Sequence, residues 1–179
     1  MKSRNELPKL IKENGVGIEI GTQTGLFSEV ILNNSKLLLL YSLDCWEHQS
    51  KYDDIANHGN LRQSYYKLKT KLRLMKFGKR SKIIQSYSCE VPLDHDYIKD
   101  MDFVYIDGDH SYCGCKLDLE TWYPRVKEGG ILSGHDYFNG DIETCKDCGV
   151  KQAVDEMVNK YGLKLNVTEE FPKSWWIIK

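Results

Sequence analysis

Five short apolar runs in this chain each stop at a cluster of polar residues: VGIEI (16–20), KLLLLYSLD (36–44), SKIIQS (81–86), DFVYID (102–107) and the strand within EGGILSGHD (128–136). A continuous apolar run suits a strand buried on both faces, the setting of a parallel sheet. Segments of helical period lie between most of these runs. Leu26, Phe27, Val30 and Ile31 share one face, as do Leu61, Tyr65, Leu68, Leu72 and Met75. Cys115, Leu119, Trp122 and Val126 form another stripe, with Ser111 as the cap before it. Val150, Ala153, Val154, Met157 and Tyr161 form a last stripe, which Gly162 ends. The tail KLNVTEEFPKSWWIIK (164–179) reads as two strands about a Pro-containing turn. Strands alternating with helices predict an α/β, doubly wound, mostly parallel seven-stranded sheet with a C-terminal antiparallel hairpin. The expectation is a single domain over residues 1–179.

Composition narrows the setting. The net charge is −1, so nothing in the whole-chain balance draws the protein to nucleic acid or an anionic membrane. KLKTKLRLMKFGKRSK (67–82) is locally basic, and a solvated helix face is the reading favoured over a binding stripe. MKSRNELPKL has no apolar signal core, and KLLLLYSL is too short to span a bilayer, which predicts a cytoplasmic protein without a membrane partner. The six cysteines then read as free thiols or metal ligands rather than a disulfide frame.

In an open α/β sheet, ligands bind beyond the carboxyl ends of the strands. Those ends carry Glu19 with Gly21, Thr22 and Gly25, then Asp44, then Tyr87 and Ser88, then Asp107, Gly108, Asp109 and His110, and last His135, Asp136 and Tyr137. A turn accounts for each group separately but not for their concentration at strand ends. Gly21 and Gly25 let the backbone turn sharply into a helix and approach a ligand. A carboxylate at Asp44 can accept from both ribose hydroxyls; as a helix cap it would need no ligand. A dinucleotide site would show G-x-G-x-x-G, which EIGTQTG lacks, and Glu19 would repel a pyrophosphate while attracting a cation. A nucleoside cofactor with an amino group, a sulfonium and no phosphate, S-adenosylmethionine, meets those conditions.

GIEIGTQTGLFSEVIL, LYSLDCWE, FVYIDGDHSY and GGILSGHDY, in this order, resemble a class I S-adenosylmethionine-dependent methyltransferase with its Rossmann-like sheet. The D-G-x-H-x-Y and H-D-Y motifs are similar to those of small-molecule and sugar O-methyltransferases, including macrocin-type enzymes and proteins named cephalosporin hydroxylase. The resemblance implies that Glu19, Gly21, Thr22, Gly25, Asp44, Tyr87, Ser88 and Asp107 bind the cofactor. It implies Asp107, with His110 or His135 as base, for transfer to a hydroxyl of a sugar, glycan or small metabolite. In metal-dependent members, acids after the fourth and fifth strands hold a divalent cation. Asp107 and Asp136 match those positions, and Asp109 adds oxygen for Mg²⁺ or Mn²⁺.

The chemistry of the residues agrees with this. Methyl transfer needs alignment of two reactants and removal of a hydroxyl proton, by histidine or with a carboxylate-held cation. A second reading keeps the fold and cofactor site but no turnover, as a cofactor- or partner-binding protein. A third, an oxidoreductase, is disfavoured by the glycine spacing. The stretches Glu47–Asn60 and Phe138–Cys148 are candidate lids, and so short a covering suits a bulky acceptor such as a glycan end. Cys113, Cys115, Cys145 and Cys148 are a candidate zinc set, although C-x-C at a helix start chelates poorly. Cys45 and Cys89 read as packing residues. The oligomeric state stays open.

Overall fold

The computed structural model describes residues 1–50, 57–91, 98–142 and 145–179. Its strands and helices are β1 (Val16–Ile20), α1 (Leu26–Asn34), β2 (Leu39–Asp44), α2 (Asn60–Leu74), β3 (Ser81–Gln85), β4 (Met101–Ile106), α3 (Tyr112–Trp122), β5 (Val126–Gly134), β6 (Gly140–Ile142), β7 (Cys145–Cys148), α4 (Val150–Tyr161), β8 (Asn166–Val167) and β9 (Trp175–Ile178). The main sheet has seven strands in the order β3-β2-β1-β4-β5-β9-β8. β1 to β5 pair in parallel, while β9 runs antiparallel to both β5 and β8. This is the expected Rossmann-like sheet with its terminal hairpin.

The apolar runs explain the order. β1, β2 and β4 are almost wholly buried, whereas the edge strand β3 alternates between half-buried and exposed. One core joins Ile18, Leu43 and Val104 to Leu119 and Trp122 of α3 and Val154 of α4. The other joins Leu40, Phe103 and Tyr105 to Phe27 and Ile31 of α1 and to Leu7 of the N-terminal 3₁₀ turn Arg4–Leu10. The chain starts at β1, winds outward through β2 and β3, then returns to β4 on the other side of β1. The strand order therefore reverses between β1 and β4, and their carboxyl ends open a crevice.

The helices start and stop where the sequence indicates. The Ser111 hydroxyl accepts from the Gly114 amide at 3.1 Å, capping α3. Gly162 ends α4 in the left-handed region at φ 63°. Details differ. Val126 opens β5 instead of closing the α3 stripe, and Leu26 and Tyr161 point to solvent. A small hairpin, β6 with β7, lies in the stretch read as a lid loop. The largest difference is α2. Its helical period is right, but Gln63, Thr70 and Leu74 are the buried residues, and the predicted stripe faces outward.

Candidate active site

The loop after β1 is held from beneath by its neighbours. The amides of Gly21 and Thr22 donate to the Leu43 carbonyl at 2.9 and 3.2 Å, and the Asp107 amide donates to the Ile20 carbonyl at 2.8 Å. Gly21 adopts φ 84°, and a Cβ there would sit 1.9 Å from the Asp107 carbonyl oxygen, so the loop crosses β4 closely enough that only glycine fits. Gly25 takes φ 73° at the start of α1, packed on Thr70 of α2. The Thr22 hydroxyl donates to the Leu43 carbonyl, so this side chain fixes the loop. Asp44 ends β2. Its carboxylate accepts from the Gln23 amide at 2.8 Å and the Trp46 amide at 2.7 Å, and both donors lie in the left-handed region. The Trp46 indole and the Thr70 hydroxyl both donate to the Gln23 carbonyl, which ties the β1 loop to the segment after β2 and to α2.

Glu19 lies one layer below this loop, 1% exposed, and accepts a hydrogen bond from Ser28 of α1. Burial pushes its carboxyl up to about 8, with Asp107 and Asp44 adding to the rise and Ser28 and Arg4 opposing it.

At the ends of β4 and β5 four side chains meet. Nδ1 of His135 is 3.1 Å and Nε2 of His110 is 3.2 Å from Oδ2 of Asp136. Oδ1 of Asp107 is 3.6 Å from His110 and 3.9 Å from His135. Oδ2 of Asp107 pairs with Arg4 at 3.2 Å. Burial pushes Asp107 upward, but the hydrogen bond from His110 and the charges of His135 and Arg4 outweigh it, so its carboxyl falls below the usual range. Asp136 takes φ 49°, an uncommon conformation for a residue other than glycine. Ligand atoms of Asp107, His110 and Asp136 lie within 4.8 Å of one another, close enough to share a cation. Asp109 is outside that group: its carboxylate accepts from the Ser111 amide at 2.8 Å, at the start of α3.

A cleft of about 300 Å³ runs along the strand ends. Gly21, Asp44, Tyr87, Ser88, Asp107, Asp109 and His110 line it, while Glu19, Thr22 and Gly25 are absent from its lining and shape the loop from behind. His135 lines a small cavity that shares Asp107, Asp109 and His110 with the cleft. Two residues here escaped the sequence reading. Asp118 of α3 is 4% exposed, lines the cleft and accepts a hydrogen bond from Ser88. Burial pushes its carboxyl up to about 7, Ser88 opposing and Asp109 adding. The available signal was an acid three residues after Cys115 and four before Trp122, on the buried stripe of α3. Arg4 is the other: its guanidinium also lies 4.9 Å from the Phe27 ring centroid. It carried no local signal, because its partners lie about a hundred residues away.

Among the lid candidates, residues 51–56 and 143–144 lie outside the described residues; Glu47, Gln49 and Asn57 line the cleft mouth. Of the candidate zinc set, Cys113 is exposed and Cys115 buried on α3, and the Cys148 thiol is directed at the Asp136 and Phe138 carbonyls. The Cys145 side chain lies outside the described residues. Cys45 is half-buried and Cys89 exposed.

Three solved structures share the fold over most of their length. An rRNA methylase from Streptococcus thermophilus is 18% identical, with a TM-score of 0.61 over 98% of this chain and 92% of that one. Precorrin-6y C5,15-methyltransferase from Geobacter metallireducens is 13% identical, with a TM-score of 0.63 over 97% and 83%. A Staphylococcus aureus protein assigned as a caffeoyl-CoA O-methyltransferase is 16% identical, with a TM-score of 0.63 over 92% and 76%. No curated protein sequence matches the chain. Residues 18–137, from β1 to the end of the H-D-Y motif, match the model of a family described as a methyltransferase domain. With the glycine loop, the acid after β2 and the strand order all in place, the chain belongs to the S-adenosylmethionine-dependent methyltransferase family.

Proposed function

We propose that this protein methylates a hydroxyl of a sugar, glycan or small metabolite, as one domain of the macrocin-type O-methyltransferase group. The observation that carries the reading is the convergence of Asp107, His110, His135 and Asp136 at the ends of β4 and β5, beside the cleft.

The residues fit the cofactor. The cleft offers a carboxylate at Asp44 for ribose hydroxyls, and a polar end at Tyr87, Ser88 and Asp118 for a base with an exocyclic amine. At its other end Asp107 suits a cationic amino acid moiety, with Glu19 buried beneath the β1 loop. S-adenosylmethionine, when bound, supplies a methyl group already activated on a sulfonium. The protein's part is to align the acceptor and take its proton. His110 lines the cleft and His135 stands behind it, each held by Asp136, so an acceptor hydroxyl placed beside Asp107 meets a base of suitable chemistry. The carboxylates stabilise the imidazolium that forms.

A second reading adds a divalent cation held by Asp107, His110 and Asp136, favoured by the 4.8 Å spread of their ligand atoms. Two carboxylates and one imidazole suit Mn²⁺ better than Mg²⁺, which prefers oxygen ligands alone; such a cation would lower a bound hydroxyl's pKa. Arg4 already neutralises one Asp107 oxygen and would compete with the ion.

The test is calorimetric titration with S-adenosylmethionine, followed by transfer of labelled methyl to a panel of sugars, glycans and catechols, with and without Mg²⁺. Binding with transfer to a hydroxyl supports the reading. Binding without transfer to any acceptor points to the silent, ligand-binding alternative. No binding by a folded sample removes both.

A further inference from the structure

α2 presents an apolar stripe to solvent. Leu61, Tyr65, Leu68, Leu72 and Met75, each 52–92% exposed, fall at helical spacing on one face. Their spread, fourteen residues at 1.5 Å rise, is about 21 Å. Large apolar side chains arrayed this way on an outer helix are not the scattered exposed leucines of an ordinary surface. The orientation of α2 is fixed by its opposite, more polar face. Thr70 donates to the Gln23 carbonyl and packs on Gly25, and Gln63 lines the cleft. Turning the stripe inward would break the helix away from the β1 loop.

The stripe has a basic border. Arg62, Lys69 and Arg73 flank it on one side, and Lys67 and Lys71 on the other, by helical position. From Leu61 to Lys82 the chain has nine Lys and Arg and no Asp or Glu. The rest of the chain has all twenty-six acids against sixteen Lys and Arg. Several of the nine are engaged: Arg73 and Lys76 pair with Glu29, Lys67 donates to Gln85, Arg62 donates to the Tyr66 hydroxyl, and Arg80 donates to the carbonyls of Leu32, Ser35 and Leu37. The border beside the leucines, at Lys69 and Lys71, remains at the surface, with Lys69 4.7 Å from the Tyr65 ring centroid.

We propose that this face of α2 docks the protein on an anionic lipid bilayer. A convex apolar ridge between two rows of lysine is the form of an interfacial helix. The Leu, Met and Tyr side chains enter the boundary between headgroups and acyl chains, and the lysine stems reach back to the phosphates. A second copy of the chain is a poor occupant, because a two-fold interface would set the basic borders against each other. Nucleic acid would use the lysines but has no counterpart for a leucine ridge. Attachment by this face is interfacial, and no helix among the described residues is long and apolar enough to cross a membrane. This attachment does not depend on the methyl-transfer reading.

The test is co-sedimentation of the full chain with phosphatidylcholine vesicles, with and without phosphatidylglycerol. Wild type sediments with the anionic vesicles, at least about tenfold more than with neutral ones, and added salt releases it. Leu68→Glu with Leu72→Glu abolishes sedimentation, and Lys69→Glu with Lys71→Glu does the same; all four positions are exposed, so circular dichroism and S-adenosylmethionine binding stay unchanged. The proposal is overturned if wild type ignores anionic vesicles, or if the leucine pair can be replaced without effect. It is equally overturned if sedimentation velocity shows a dimer that the leucine variant converts to monomer, which assigns the face to a second copy. RNA binding that needs the lysines but not the leucines also removes it.

Discussion

Glu19 and Asp107 are buried carboxylates near the ends of adjacent parallel strands, with Ile20 of β1 in register with Ile106 of β4. Both lose hydration on folding, yet they go opposite ways. Glu19 meets a neutral hydroxyl on α1 and two other acids nearby, and burial raises it to about 8. Asp107 meets Arg4, His110 and His135, and is lowered despite its burial. Desolvation alone does not decide a buried acid's charge; its neighbours do. The side of the site near β1 thus has an acid kept mostly uncharged at neutral pH. The side near β4 and β5 has a carboxylate that its positive neighbours keep charged.

The comparison can be broken at several points. The largest expected effect is Asp107→Asn, which lowers methyl transfer by about 10²–10⁴-fold in steady-state assays while leaving cofactor binding measurable. Full activity in that variant would remove Asp107 from the transfer point. Glu19→Gln should follow, weakening S-adenosylmethionine about tenfold by calorimetry above pH 8, where the raised carboxyl is ionised, and changing little at neutral pH, where it is mostly protonated.

The two acids also predict opposite pH limbs of stability. Glu19, raised in the folded state, contributes stability that is full below its unfolded pKa of about 4.3 and is lost as pH rises through about 8. Asp107, lowered in the folded state, contributes stability present above its unfolded value and lost as pH falls through the folded one. Urea unfolding across pH should show Glu19→Gln flattening the alkaline limb and Asp107→Asn the acid limb. A variant that shifts both limbs equally would contradict the division.

Smaller effects sharpen the picture. Asp118→Asn should reduce affinity for S-adenosylhomocysteine about threefold to tenfold while narrowing its preference over the inosine analogue, since the acid accepts from the base's amine. Arg4→Gln should strengthen Mg²⁺ binding, read by calorimetry, by a few fold, because it frees one oxygen of Asp107. No change in Mg²⁺ affinity would count against a cation at Asp107.

Much of this fold is legible in the sequence because its signals are local. The runs around Ile18, Leu43 and Val104 sit in continuous strands, and the stripe Val150, Ala153, Val154 and Met157 is buried as its period indicates. The same rule applied to Leu61, Tyr65 and Leu68 gives the right helix and the wrong side. Period reports that apolar residues share a face, not that the protein covers it. Asp118 was hidden for a related reason: an acid on an apolar stripe reads as an exception until its cleft is seen. Asp109 and His110 are neighbours in sequence, but the first turns back to accept from the Ser111 amide and the second joins the cluster, a distinction set by side-chain direction.

The sequence by itself determined the order of strands and helices, the glycine loop after β1 and the acids at the strand ends, because each depends on residues within a few positions of one another. Only the tertiary structure decided that Arg4 compensates Asp107, that His110 and His135 share Asp136, and that the leucine face of α2 remains in solvent. Charge compensation and burial depend on which distant segments meet, and local pattern does not carry that information.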